Sequence, residues 1–186
     1  MNGLVFALLS IVGVIVTLVV MHLLGIPLSH QDPFGKKSKL LINIFDRALS
    51  FRTHAIDNAI AKGVTHILLV AGEFGTGIRH AAKYSLDNGL HVTIVGGPVT
   101  KLKPEAKNAL DSFLENYSEL FSYFELKERP VYHFSIFGPN LFIEFPHGED
   151  DGFKGSIGIM DAYPKYQEKF SQEFSNLIDS ATRYAK

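Results

Sequence analysis

The chain has 186 residues, enough for one globular domain and an additional segment. Its formal net charge of -1 argues against a generally basic nucleic-acid binder and leaves only a local basic patch open. Cysteine is absent, which excludes disulfides, thiolate metal sites and a cysteine nucleophile.

The first segment is apolar. No Asp, Glu, Lys or Arg occurs before Asp32, and nearly every residue from about Leu4 to Leu28 is apolar or small. A hydrocarbon core about 30 Å thick takes roughly 20 helical residues, so this run is long enough to span it. It has no polar face of the kind a soluble core helix carries. A cleavable signal peptide is the competing reading, but no basic residue precedes the run and "HLLGIPLSH" is a poor cleavage site. Residues 1–29 are therefore expected to be an uncleaved transmembrane anchor and 30–38 a linker broken by Pro33 and Gly35. Lys36, Lys37 and Lys39 follow the span, so the positive-inside rule places the following domain in the cytoplasm. His22 falls near the end of the span; an intramembrane proton site is the functional reading, and an interfacial residue near the headgroups is the commoner one.

Strand and helix signals alternate over residues 39–186. "KLLINIF" suits a short buried strand. Residues 47–61 set Leu49, Arg52, Ile56, Ala59 and Ile60 at helical spacing, with Gly63 as a stop. "VTHILLVA" is a second strand and "GEFGTG" a loop. "IRHAAKYSLDN" is helical, with Ile78, Ala82, Ser85 and Leu86 on one side and Gly89 as a left-handed cap. "HVTIVGG" is a third strand. Pro104 opens a helix whose face carries Ala106, Leu110, Phe113, Leu114 and Tyr117. "FSYFEL", "VYHFSIF" and "LFIEF" are further strands, the last two joined by the turn "GPN", and "GSIGIM" adds another. A final helix aligns Tyr166, Phe170, Phe174, Leu177, Ile178 and Ala181. The fold class expected is α/β, with a mixed sheet flanked by helices: parallel strands in the first half, hairpins in the second.

Two places carry candidate chemistry. The first is "LLVAGEFGTGIRHAA", a strand, a glycine-rich turn and a helix. Gly72, Gly75 and Gly77 let backbone approach a ligand, the helix start offers N–H groups to an anion, and Arg79 adds charge. The turn fits a phosphate or nucleotide site. Against that stand Glu73 inside the turn and the steric use of glycine in any tight α/β turn. The second place is His133, Ser135 and Asn140. Beyond it, His147, Glu149, Asp150 and Asp151 offer ligands for a divalent cation, although a charged turn in solvent is the commoner use of such a run. Neither a metal nor another cofactor is expected.

The spacing of His133, Ser135 and Asn140 resembles the phospholipase D superfamily motif, His-x-Lys, four residues, then Asp. The resemblance extends to "VTIVGGP" and to the closing amphipathic helix, and covers most of residues 40–182. It implies a histidine that attacks phosphorus and forms a phosphohistidine. A second histidine, from a second motif copy, protonates the leaving oxygen. The lysine and a downstream asparagine hold the non-bridging oxygens. In this chain Ser135 replaces the lysine and Asn140 the Asp, and the slot of the downstream asparagine falls on Asp150, between Glu149 and Asp151. One motif copy is present. In the family, single-copy members build the site across a two-fold axis, which implies a homodimer.

Three readings result. The first is a membrane-anchored, cytoplasm-facing domain of this fold, catalytically degenerate, that binds or scaffolds a phosphate-bearing ligand or a protein partner. The second is an active phosphodiesterase, a phospholipase or nuclease with His133 as nucleophile, which needs a cation such as Arg79 or Arg129 to reach the site. The third is a Rossmann-like nucleotide module built on Gly72–Gly77.

Overall fold

The computed structural model describes residues 39–43, 48–144 and 156–185. The expected anchor, the linker 30–38 and the acidic run with His147 lie outside the described residues. Among the described residues, no helix is long and apolar enough to cross a membrane.

Among the described residues, eight strands form one sheet: β1 (Lys39–Asn43), β2 (His66–Ala71), β3 (His91–Gly96), β4 (Phe121–Glu125), β5 (His133–Phe137), β6 (Asn140–Glu144), β7 (Ser156–Met160) and β8 (Thr182–Tyr184). Their order is β1-β7-β6-β5-β2-β3-β4-β8. β2, β3 and β4 are parallel, and the remaining pairings are antiparallel. The mixed sheet expected from the sequence is thus present. Its parallel part, β2 to β4, comes from strands separated by helices, and its antiparallel part mostly from the hairpin-rich second half; β1, expected among the parallel strands of the first half, instead pairs antiparallel with β7 at the sheet edge.

Among the described residues, four α-helices flank the sheet: α1 (Ala48–Ala61), α2 (Thr76–Asp87), α3 (Pro104–Asn116) and α4 (Pro164–Ser180). Alternation along the strands sorts the core into two layers. Ile67, Leu69, Ile94, Tyr123, Phe137 and Phe142 face α1, α2 and α3. Val70, Val95, Phe134, Ile136, Leu141 and Ile159 face α4, whose Tyr166, Phe170, Phe174, Leu177 and Ile178 form the stripe read from the sequence.

Several details differ from expectation. α2 begins at Thr76, two residues before the expected Ile78, because the last two residues of the glycine turn already belong to its first turn; Gly75 is its N-cap. α4 ends at Ser180, so Ala181 caps it, and the next three residues pair antiparallel with β4. The exposed edge of β4 recruits them, which no local pattern foretells. On α1, Leu49 and Ile60 are exposed, at the margins of a face whose centre is Arg52, Ile56 and Ala59. Gly63 and Gly89 follow their helices in the left-handed conformation expected of stops.

Candidate functional site

The carboxyl ends of β2, β3, β4 and β6 and the amino end of β5 lie along one edge of the sheet. This is the edge at which open α/β sheets bind ligands. His133 opens β5 and stands in register with Glu144, the last residue of β6. Ser135 and Phe142 form the next pair on the same face, and Phe137 and Asn140 the one after. This face lies under α1.

Glu144 links two groups. Its Oε1 accepts a hydrogen bond of 2.5 Å from an Arg52 Nη, and its Oε2 lies 3.4 Å from His133 Nδ1. Burial pushes the Glu144 carboxyl up, but the His133 hydrogen bond and the Arg52 charge outweigh it and hold it at about 2. Burial lowers the Arg52 guanidinium in turn, and the Glu144 carboxylate opposes that shift. Arg52 is only 3% exposed and stacks on the Phe142 ring, with its guanidinium carbon 4.3 Å from the centroid.

His133 Nε2 faces the glycine turn. A Cβ added to Gly72 would strike both this atom and the Arg129 side chain, so imidazole, guanidinium and turn backbone share one small space. Arg129 comes from the loop between β4 and β5, and its Nη1 pairs with Glu73 Oε1 at 2.9 Å. In the sequence Glu73 looks hostile to an anion; in the structure Arg129 offsets it. Gly77 is equally crowded, because a Cβ there would collide with Arg52. Between them Phe74 sits fully buried at a φ of +52 and packs edge-on against Phe113 and Tyr123. The turn is therefore pinned into the core by an aromatic plug, a use that its phenylalanine could have signalled.

The sequence-predicted residues divide accordingly. His133, Gly72 and Gly77 come together, joined by Arg129, a cation that the active reading calls for at this histidine, and by Arg52 and Glu144, whose roles the sequence left unassigned. Gly75 has open space around its Cα. Arg79 is turned elsewhere: it donates to Thr76 Oγ1 and the Glu105 carbonyl, and lines an open groove of ≈ 550 Å³ between α2 and α3. That groove is separate from the histidine site. Ser135 is 1% exposed, and its hydroxyl has no hydrogen-bond partner among the described residues. Asn140 is fully buried and spent on the fold. Its Nδ2 donates to the Ala55 and Phe137 carbonyls, and its Oδ1 accepts from Asn58 Nδ2 and the Asp161 amide. No group of three or more His, Asp or Glu suited to a metal occurs among the described residues.

No family model matches the chain, and no curated protein matches it in sequence. Solved structures match it in fold. Nuc from Salmonella typhimurium, a phospholipase D family member, aligns over 81% of this chain and 100% of its own, with a TM-score of 0.63 at 14% identity. The fold is the phospholipase D fold. NucT from Helicobacter pylori shares it over 80% of this chain and 100% of its own, with a TM-score of 0.55 and 8% identity. TrmBL2, an archaeal chromatin protein whose structure shows a novel mode of DNA binding, aligns over 89% of this chain and 58% of its own, with a TM-score of 0.59 and 12% identity. In this chain a histidine stands at the strand edge, its Nδ1 against a carboxylate and its Nε2 beside a guanidinium.

Proposed function

We propose that this chain is a phospholipase D-like domain that binds a phosphate-bearing ligand around His133 without hydrolysing it. The observation that carries the reading is the meeting of His133 Nε2 and the Arg129 side chain at Gly72. An imidazole and a guanidinium on one spot are a phosphate-binding pair. Three features weigh against turnover. Ser135 supplies no charge, Asn140 is locked into four backbone and side-chain bonds, and His133 Nε2 has no solvent-exposed surface. A ligand reaches that nitrogen once Arg129 swings from Glu73, a movement open to a partly exposed side chain.

The setting is part of the proposal. Residues 4–28 anchor the domain to a membrane with the site on the cytoplasmic side, and two copies pair near the site. Val131 and Tyr132, both 68% exposed and just ahead of His133, give an apolar rim suited to that pairing. The test is titration of the full chain in detergent with inorganic phosphate and with a generic phosphodiester. Binding that His133→Ala abolishes, without product, supports the reading. Absence of binding by folded protein overturns it.

A second reading, an active phosphodiesterase acting on lipid or nucleic acid, is favoured by one observation. A carboxylate behind Nδ1 and a cation beside Nε2 are what a nucleophilic histidine needs. Turnover lost in His133→Ala would establish it. The nucleotide reading is less well supported, because side chains of the protein itself already crowd Gly72 and Gly77.

A further inference from the structure

Packing alone does not account for Arg52. It lies on the centre of the apolar face of α1, where Ile56 and Ala59 are its buried neighbours. Its guanidinium covers Phe142, and the backbone at Gly77 leaves it room. Its Nε is buried without a hydrogen-bond partner among the described residues, as is the hydroxyl of Ser135, the next residue after His133 on the same face of β5. A charge at this depth is costly, and an apolar side chain of similar volume is often as stable or more so. A methionine would cover Phe142 as well. What it could not do is hold one oxygen of Glu144. The other oxygen faces His133 Nδ1.

We propose that Arg52 is a positioning residue for His133: by binding Glu144 Oε1 it fixes Oε2 as the acceptor of the Nδ1–H, so that the imidazole turns Nε2 toward Gly72 and Arg129. The ring nitrogen that is protonated is set by the partner of the other, and a carboxylate that is itself held orients the ring better than a free one. Ser135 brings no charge to this face of the sheet; Arg52 reaches it from a different element. The inference rests on the ligand-binding reading above and extends it to a residue outside the motif.

The test is the nitrogen-15 spectrum of the histidine rings in the full chain, in detergent at neutral pH, for wild type, Arg52→Met and Arg52→Lys. Wild type is expected to show His133 protonated on Nδ1. Arg52→Met is expected to lose that signature, giving a mixture or the Nε2–H form, and Arg52→Lys, which keeps the charge, to preserve it. Should Arg52→Met not fold, Arg52→Gln, polar and uncharged, carries the same contrast with Arg52→Lys. A folded Arg52→Met or Arg52→Gln with the wild-type ring signature overturns the proposal, as does a wild-type His133 protonated on Nε2 alone. Inorganic phosphate added to the same samples separates the two claims. Binding at least tenfold weaker in Arg52→Met is expected. No phosphate effect on wild type sinks the ligand-binding reading while leaving the ring signature to decide the role of Arg52.

Discussion

Glu144 is the residue on which the strand-edge chemistry turns. It ends an apolar strand, it is mostly buried, and both its oxygens are engaged. Its carboxyl is held at about 2, below its ordinary value near 4.5. A carboxyl lowered on folding contributes stability that is fully present above the unfolded value and is lost as pH falls through the folded one. Stability should therefore decline between about pH 4.5 and 2, by an amount on the order of 3 kcal/mol. Glu144→Gln should flatten that decline, as denaturant unfolding across this pH range would measure. An unchanged profile in the variant would mean that another carboxylate governs acid sensitivity. Gly72 gives a second prediction at this scale. A methyl group there meets His133 Nε2 and Arg129, the second of which is flexible enough to yield. Gly72→Ala should thus cost about 1–3 kcal/mol and weaken phosphate binding by displacing Arg129. Wild-type affinity in this variant would show that Arg129 is no part of the site.

Among the elements, the β5–β6 hairpin bears most directly on function, because it aligns His133 with Glu144. Gly138 turns it at a φ of +58, and Asn140 ties it to α1 and to the residue after β7. The resemblance read from the sequence places an aspartate at position 140. Here that residue would be the wrong one. The Asn140 amide nitrogen donates to two buried carbonyls, and a carboxylate would face both with acceptors alone. Asn140→Asp should destabilise the protein by about 2–4 kcal/mol, more than a typical surface change, as thermal or urea unfolding would register. Neutral or increased stability would mean that the hairpin tolerates the family residue. The hairpin was legible in the sequence because its apolar strands and glycine turn are local signals. β8 was not, since three residues pair only because β4 leaves an edge to be covered. Arg52 was visible as a charged residue at helical spacing among apolar ones, but its partner is 92 residues away and its role could not be read. Glu144 stood at the end of the "LFIE" run on the same alternation as Phe142, a signal in plain view with no meaning until register paired it with His133.

At the scale of the whole molecule, the sheet order and the two core layers match the phospholipase D fold; the amphipathic stripes of the sequence anticipated a mixed α/β sheet flanked by helices, and the resemblance carried by the His133 segment supplied the likeness to that fold. What they could not supply was which side chains meet at the strand edge, because Arg52, Arg129, His133 and Glu144 come from four separate segments. The proposed pairing of two copies makes its own prediction. Replacing exposed Val131 and Tyr132 by aspartate should turn a dimer into a monomer in sedimentation of the detergent-solubilised chain, with little change in stability, since both side chains are largely in solvent. A wild-type chain that sediments as a monomer at high concentration would contradict the pairing. The most direct test of the central claim is phosphorus-31 NMR of a phosphodiester mixed with the full chain, wild type beside His133→Ala. The account predicts broadening of the diester resonance by wild type alone, with no product resonance growing in. A resonance unaffected by folded wild-type protein, or one converted to product, would contradict it.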